Sequence, residues 1–333
     1  MQTQKMMDNF DNDEPLLNEA NMRFTIFPIE YNDIWEMYKL QQASFWKAEE
    51  IDFSKDYHDS LTLTKDEQHY IKMILAFFAS SDGIVNFNLR ERFLNDIKII
   101  EAQTVYAWQM MMENIHGEVY SKMLDNIIKD PIEKAHLFDA IETVPSVKKM
   151  ANWAFEWIHS SSSFAHRVIA FAIVEGIFFS GAFASIFWLQ KYRCHGTSFL
   201  QGLIKSNEFI SRDEGMHTDF ACLLYSHLKH KLKQSEVAII MTNAVDISKE
   251  FMTDAIPCKF IGMNVDLMNT YIEYIADRLM VSLGHEKIYF SQNPFQFIET
   301  LGMQNKNNFF ESRSTEYKLA MSNDKVFELL EDF

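Results

Sequence analysis

The segment from Val168 to Leu189, VIAFAIVEGIFFSGAFASIFWL, is apolar apart from one formal charge, Glu175. It is long enough to cross a lipid bilayer. A charged side chain at the middle of a spanning helix, however, costs about 2.5–3.5 kcal/mol on insertion scales, and no second segment of this quality is present. We therefore interpret the segment as the central helix of a large bundle, apolar on all sides, with Glu175 buried and no membrane contact.

The scarcity of turn residues indicates the fold class. The 333 residues include only 10 glycines and 6 prolines, which are too few for a many-stranded sandwich or barrel. Apolar residues instead recur at helical spacing in long runs. Thr64 and Glu67 have the form of a capping box that opens one such run, and Asp130-Pro131 ends the next. We predict an all-α protein.

Charge and cysteine content exclude several classes of function. The net charge of −16 argues against binding of nucleic acid, which needs a basic face. The cysteines Cys194, Cys222 and Cys258 are widely spaced, so the sequence suggests neither a disulfide framework nor a thiolate metal site. The N-terminus lacks the pattern of a secretory signal. We expect a cytoplasmic protein, located in the host cytoplasm if its source is viral.

Composition divides the chain into three regions. Residues 1–21 are acidic and polar, which predicts a flexible N-terminal arm. Residues 22–310 carry the helical pattern and form the predicted bundle domain. Residues 311–333 lose this periodicity and end acidic with an aromatic last residue, which predicts a flexible C-terminal tail.

Four Glu-x-x-His pairs occur, and each places a carboxylate and an imidazole one turn apart on a helix face. Two pairs have ordinary surface explanations, because one lies at a polar helix start and the other at a helix end, where a cation favours the dipole. These two are Glu133/His136 and Glu156/His159. The two candidate ligand pairs are Glu113/His116 and Glu214/His217.

Two single acids, Asp82 and Glu175, lie within apolar helices, where a carboxylate is not buried unless it is paired or bound to metal. Together with the two candidate pairs they offer six ligands from four helices, which is the arrangement of ferritin-like di-iron carboxylate bundles. Such a set suits two iron or manganese ions. The alternative is that these residues are hydrogen-bonded core acids. The predicted ligands are Asp82, Glu113, His116, Glu175, Glu214 and His217.

Tyr120 follows His116 by four residues, so its phenol is predicted to face the metal pair. Phe179 and Phe183 follow Glu175 at the same helical spacing, and Ile210 precedes Glu214 by four residues. These three side chains are predicted to form an apolar lining that protects a radical. Plain core packing is the alternative for each of them.

Several segments resemble, in order and spacing, the eukaryotic-type small subunit of class I ribonucleotide reductase, and the similarity extends from about Phe45 to Phe333. The segments are SFWKAEEIDFSKD, LAFFASSDGIVN, MENIHGEVYS, VEGIFFSGAFASIFW, NEFISRDEGMHTDFACLL and IGMN. The resemblance implies a ferritin-like bundle with additional helices. It also implies that the six ligands hold two irons, or possible manganese substitutes, which activate O2 so that Tyr120 becomes a stable tyrosyl radical.

The resemblance further implies a role in deoxyribonucleotide biosynthesis for DNA replication, through a thioredoxin- or glutaredoxin-dependent ribonucleoside-diphosphate reductase. The small subunit forms a homodimer and is active only with the large catalytic subunit. The radical is passed to that subunit through Trp46, which is also an electron donor, and through Asp213 and Tyr317. The C-terminal tail docks on the large subunit through Phe327, Leu329, Leu330 and Phe333.

Gly117 and Ala182 depart from the mammalian pattern, in which a small hydroxyl residue is usual at each position. Neither departure removes a ligand. Two rival functions remain open for the residue pattern alone. One is another oxygen-activating di-iron oxidase or hydroxylase, and the other is a non-enzymatic iron-binding bundle of the ferritin type.

Overall fold

The computed structural model describes residues 11–194, 199–256 and 260–298, and the regular secondary structure in these ranges is almost entirely helical. The α-helices are α1 Asn32–Ala43, α2 Asp56–Ser60, α3 Lys65–Asn88, α4 Ile100–Ile127, α5 Pro131–Phe138, α6 Ala140–Thr143, α7 Pro145–Ile158, α8 Phe164–Ile173, α9 Ser180–Tyr192, α10 Gln201–His227, α11 Gln234–Ala255 and α12 Val265–Ser282. No strand occurs in these ranges beyond one isolated bridge between Phe260 and Met263. The predicted all-α fold is confirmed.

Shorter helical pieces complete the chain path. Two 3₁₀ turns lie at Glu19–Asn21 and Ala48–Glu50. A π-helical turn, Leu89–Phe93, and a last α turn, Leu94–Asp96, extend α3. A second π-helical turn, Val174–Phe178, joins α8 to α9. Such turns are rare and often occur at functional sites.

Two helices begin where their sequences provide a side-chain cap. At the start of α3 the Thr64 hydroxyl accepts from the Glu67 amide at 3.2 Å, and the Glu67 carboxylate accepts from the Thr64 amide at 2.8 Å, so the predicted capping box forms. At the start of α5 the Asp130 carboxylate accepts from the Glu133 amide at 2.7 Å, and Pro131 occupies the first helical position. Helix α3 then packs along α4, and α8 packs on α10.

The apolar segment from Val168 to Leu189 lies inside the protein. Phe164–Tyr192 is the one described helix that is long and apolar enough to cross a membrane, and most of it is buried against other helices. This is the environment expected of a central bundle helix. Glu175 lies in its π-helical turn and is 2% exposed.

Residues 11–16 of the predicted flexible arm, residues 1–21, contact the helices. The Asp11 carboxylate accepts from the Phe164 amide at 2.9 Å and thus caps α8. The buried Glu14 carboxylate accepts from the amides of Lys229 and His230 at 2.8 and 2.7 Å. Leu16 is fully buried. Sequence composition missed these contacts since they join distant parts of the chain. Residues 1–10 lie outside the described ranges.

The start of α10 depends on a close backbone approach. The buried Asp56 carboxylate accepts from the amides of Gly202 and Leu203 at 3.0 and 2.7 Å. A Cβ atom at Gly202 would lie 2.8 Å from that carboxylate and 2.9 Å from the Asp52 carbonyl oxygen. Only glycine fits there without displacing α2.

The chain divides into two compact units, and the first ends at Pro294. The bundle boundary predicted at residue 310 lies outside the described residues and stays a prediction. The second unit begins at Phe295, and only residues 295–298 of it are described. In that short stretch the Ile298 amide donates to the Phe295 carbonyl at 2.9 Å. The predicted tail, residues 311–333, lies outside the described residues.

Candidate metal centre

The six predicted ligands meet in the interior of the bundle, and each is at most 3% exposed. They come from four segments: Asp82 from α3, Glu113 and His116 from α4, Glu175 from the second π-helical turn, and Glu214 and His217 from α10. Residues three apart on a helix share a face, which explains why both Glu-x-x-His pairs project inward.

The ligand atoms form two overlapping groups, and within each group they all lie within 4.8 Å of one another. Glu113 belongs to both groups. One group is Asp82, Glu113 and His116, and the other is Glu113, Glu175, Glu214 and His217. Two neighbouring cation positions with one shared carboxylate follow from this arrangement.

Glu113 and Glu214 each divide their two carboxylate oxygens between the two imidazoles. From Glu113, Oε1 lies 3.0 Å from His217 Nδ1 and Oε2 lies 3.4 Å from His116 Nδ1. From Glu214, Oε1 lies 3.1 Å from His116 Nδ1 and Oε2 lies 3.2 Å from His217 Nδ1. Both carboxylates thus lie between the two imidazoles, and Glu113 is the one that also belongs to both ligand groups.

Several buried atoms of the cluster have no hydrogen-bond partner in the described part of the chain. They include both carboxylate oxygens of Asp82 and Oε2 of Glu175. Buried polar atoms are nearly always paired, and a bound cation would satisfy a set of this kind. Carboxylate and imidazole donors fit divalent iron or manganese. The residues present therefore fit a pair of such ions.

The charges of the cluster act strongly on one another. Burial, and then the charges of neighbouring carboxylates, raise the pKa values of Asp82 and Glu175 well above their usual range. The carboxylates of Glu113 and Glu214 outweigh burial and raise the pKa of His217 to about 10. Although burial opposes it, the His217 charge lowers the pKa of Glu214. The cluster thus retains protons that bound cations would displace.

Gln109 is a site residue that the sequence reasoning missed. Its Nε2 donates to Oε1 of Glu175 at 2.9 Å and lies 3.4 Å from Oε1 of Glu113, and the side chain is fully buried. Hydrogen bonds of this kind fix the orientation of carboxylate ligands. The available signal was its position, one helical turn before Glu113 on the same stripe of α4.

Tyr120 lies beside the cluster in an aromatic environment. Its ring stacks on Phe78 with a centroid distance of 4.6 Å, and Phe78 was not predicted. The predicted lining residues Phe179 and Phe183 pack behind Phe78 at 6.0 and 5.1 Å, and Ile210 is fully buried on α10. Phe78 precedes Asp82 by four residues. The same four-residue spacing from a ligand that predicted Phe179 could therefore have predicted Phe78.

The Tyr120 hydroxyl is buried and has no hydrogen-bond partner within the described ranges. Burial, followed by the charges of Asp82, Glu214 and Glu113, raises its pKa well above the usual value. The phenol is therefore neutral at physiological pH and is shielded from water.

Asp213 connects the cluster to Trp46. Its Oδ2 lies 3.1 Å from Nε2 of His116 and accepts from the indole N–H of Trp46 at 2.7 Å. The Trp46 ring also stacks on the His116 ring, with centroids 5.9 Å apart. Arg212 donates to the other oxygen of Asp213 at 2.9 Å. Burial opposes ionisation of Asp213, but His116, Arg212 and Trp46 together lower its pKa.

The model of the family described as ribonucleotide reductase, small chain, matches residues 23–294 of this sequence. The chain belongs to this family. Membership assigns it the small-subunit role in a ribonucleoside-diphosphate reductase, an enzyme that requires a large subunit as well.

Similar proteins agree with this assignment. The ribonucleoside-diphosphate reductase small chain of Neurospora crassa is 56% identical over 92% of this chain and 74% of its own length. That of Monkeypox virus is 54% identical over 96% of this chain and all of its own. The structure of the ribonucleotide reductase Rnr4 homodimer from Saccharomyces cerevisiae is 41% identical, with a TM-score of 0.81, and covers 95% of this chain and 97% of its own.

The two remaining Glu-x-x-His pairs lie outside this small-chain metal cluster. Glu133 pairs with Lys72 at 2.6 Å, and His136 is exposed. Glu156 is exposed, and His159 is the C-terminal cap of α7. Both pairs therefore have the surface environment that the sequence predicted.

A glycine directly follows four of the six candidate ligands, as Gly83, Gly117, Gly176 and Gly215. A Cβ atom at Gly83, Gly117 or Gly215 would meet no atom within 4 Å, so packing does not require glycine at these positions. Gly117, which departs from the mammalian pattern, therefore has open space where a side chain would lie, whereas Ala182, the other departure, is fully buried in α9. Glycine inside a helix costs about 0.5–1 kcal/mol relative to alanine, so the ligand-bearing helices are weakened next to the cluster.

Two alanine substitutions in α10 should have opposite effects on the stability of the metal-free protein. Gly215→Ala should raise the free energy of unfolding by roughly 0.5–1 kcal/mol, since it removes backbone entropy without a clash. Gly202→Ala should lower it by roughly 1–3 kcal/mol, because its Cβ atom would press on Asp56. Chemical denaturation measures both changes. Shifts in the same direction would contradict this account of the helix.

Proposed function

We propose that Asp82, Glu113, His116, Glu175, Glu214 and His217 hold two irons, with manganese as the possible substitute, and that Tyr120 stores a radical. The observation that supports this most strongly is the pair of overlapping ligand groups that share Glu113. When bound, the metal pair would supply the electrons that activate O2. The surrounding residues of this chain orient the ligands, as Gln109 does for Glu175, and exclude water from the phenol of Tyr120, as Phe78 does.

Tyr120 is suited to storing a radical because its surroundings offer little to react with. The ring is 1% exposed and lies against Phe78, and the hydroxyl has no partner within the described ranges. Phenylalanine and aliphatic side chains are hard to oxidise, so a radical held there is protected from quenching. Phe179, Phe183 and Ile210 extend this protection.

The radical would leave the site through His116, Asp213 and Trp46. These three groups form a continuous buried path of hydrogen bonds, in which Asp213 accepts from Trp46 and faces the ligand imidazole. Asp213 can hold the indole proton while an electron passes. The path would continue to Tyr317 and then into the large subunit. Tyr317 lies outside the described residues, so the family resemblance alone supports its role.

The large subunit would contribute the thiols and the nucleoside diphosphate site. Burial raises the pKa of Cys194 and raises that of Cys222 to about 12, so neither described thiol is a ready nucleophile. We propose that the chain forms a cytoplasmic homodimer and docks on the large subunit through Phe327, Leu329, Leu330 and Phe333. These tail residues also lie outside the described ranges.

An oxygenase that acts directly on a substrate, or a ferritin-type iron store, is not favoured by the family membership. The structure also offers a feature that those functions do not need. Trp46 is buried, stacks on His116 and shares Asp213 with it, which suits electron transfer away from the metals.

Deletion of residues 327–333 tests the role of this small chain in the two-subunit enzyme. We expect the shortened chain to form the Tyr120 radical normally with iron and O2, but to support no deoxynucleotide formation by the large subunit. The reason is that the anchors of the tail are removed while the buried site stays intact. Radical content and reductase activity are measured on the same sample. Retained activity would contradict the docking role.

A further inference from the structure

Aromatic rings form a continuous chain from the surface of α1 to the metal-bearing helix α4. The Trp35 and Tyr38 centroids are 5.0 Å apart, those of Tyr38 and Trp108 are 6.0 Å apart, and those of Trp108 and Phe45 are 5.7 Å apart. Phe45 directly precedes Trp46 in the sequence. The rings therefore connect a partly exposed tryptophan to Phe45, whose neighbour along the backbone is the buried tryptophan beside His116.

Trp108 differs from Trp46 in the partner of its indole N–H. The Trp108 Nε1 atom is buried and has no hydrogen-bond partner in the described ranges, whereas Trp46 donates to Asp213. An indole that loses one electron becomes a strong acid. Without an acceptor Trp108 keeps its proton, so it remains a cation that readily regains an electron. This favours electron transfer without any proton movement.

We propose that Trp35 and Trp108 form an electron-entry route through which a one-electron reductant in solution restores Trp46. The inference rests on the proposed function, in which Trp46 donates one electron during oxygen activation. Trp108 then returns one electron to Trp46, Trp35 returns one to Trp108, and the reductant returns one to Trp35. Tyr38 and Phe45 act as bridging rings and are not oxidised, so no proton leaves.

The surface end of the route suits an anionic reductant such as ascorbate. The ammonium of Lys39 lies 5.2 Å from the Trp35 ring centroid and 5.4 Å from that of Tyr38. A cation so placed disfavours positive charge on Trp35, so an electron vacancy stays there only briefly. The same charge attracts an anion to the point where the electron must enter.

The route can be tested on the metal-free full chain by flash photolysis. Photogenerated tris(bipyridine)ruthenium(III) withdraws electrons at the surface, and transient absorption follows the indole radical. The part of the signal that disappears in Trp46→Phe belongs to Trp46. We expect this part of the signal to fall by an order of magnitude or more in two variants. Trp108→Phe removes an oxidisable indole from the route, and Tyr38→Leu removes the ring between Trp35 and Trp108.

Matched variants separate the route from general damage to the fold. Tyr38→Phe keeps a bridging ring and should keep the Trp46 signal. Trp157→Phe removes a partly buried tryptophan that is not part of the aromatic route and that contacts Trp153 and His166. The Trp46 signal should persist in this variant as well. An unchanged Trp46 signal in Trp108→Phe, or equal losses in Tyr38→Phe and Tyr38→Leu, would overturn the proposal.

The outcome is independent of whether the small chain makes its radical. Failure of the proposed function would appear as an absent Tyr120 signal after treatment with iron and O2. Failure of the electron-entry route would appear in the metal-free flash experiment. Each result can therefore occur without the other.

Discussion

Tyr120→Phe should abolish the tyrosyl radical that we propose iron and O2 generate in the unmodified chain, while the metal content stays the same. The substitution removes only the phenol oxygen, whose hydroxyl makes no hydrogen bond within the described ranges, so neither the packing on Phe78 nor the ligand cluster should change. Electron paramagnetic resonance measures the radical, and metal analysis of the same sample shows whether the ligands remain intact.

Tyr106→Phe is the matched control for this experiment. Tyr106 is also fully buried on α4, its hydroxyl also lacks a partner in the described residues, and burial also raises its pKa well above the usual value. It packs on Phe93 and Phe220 instead of Phe78. The radical should persist in Tyr106→Phe. A signal unchanged in Tyr120→Phe, or one lost in both variants, would contradict the assignment.

Glu113→Gln should prevent both metals from binding, because Glu113 is the one residue common to the two ligand groups. A neutral amide cannot bridge two cations as a carboxylate does. The loss of affinity should exceed the roughly 10–100-fold that follows when an outer hydrogen-bond partner of a ligand is removed. Titration with ferrous iron under anaerobic conditions measures the affinity and the number of ions bound.

The same substitution should leave the stability of the metal-free protein nearly unchanged. It removes the Glu113 charge, which after burial is the strongest cause of the raised pKa of Asp82, but it also removes the ion pair with His217 at 3.0 Å, so repulsion and attraction are lost together. A loss of metal affinity without a loss of metal-free stability would separate lost ligation from misfolding. Glu156→Gln, in an exposed Glu-x-x-His pair, should change neither quantity. Two ions bound by Glu113→Gln with unchanged affinity would refute the bridging role.

The metal cluster could be predicted from sequence because its signals are local. Each Glu-x-x-His pair lies on one helix face, and Asp82 and Glu175 are conspicuous as charges within apolar helices. The pattern could not show that Glu113 faces both positions, because this depends on how α4 packs against α3 and α10. Nor could it show the π-helical turn that contains Glu175.

Features formed between distant segments were not predicted. Gln109 and Phe78 become site residues only when α4 meets the Glu175 turn and α3 meets Tyr120. The contacts of residues 11–16 with the helices depend on Asp11 and Glu14, whose partners lie far along the chain. A polar, acidic composition predicts flexibility when no such partner is visible in the sequence.

The number and position of the bound metal ions provide the most direct test of this account. Anomalous diffraction from crystals of the iron-loaded small chain, with metal analysis of the dissolved crystals, measures both. The account predicts two ions in each chain, one beside Asp82 and His116 and one beside Glu175 and His217, with the carboxylate of Glu113 between them. A single ion, or two ions bound away from these side chains, would contradict it.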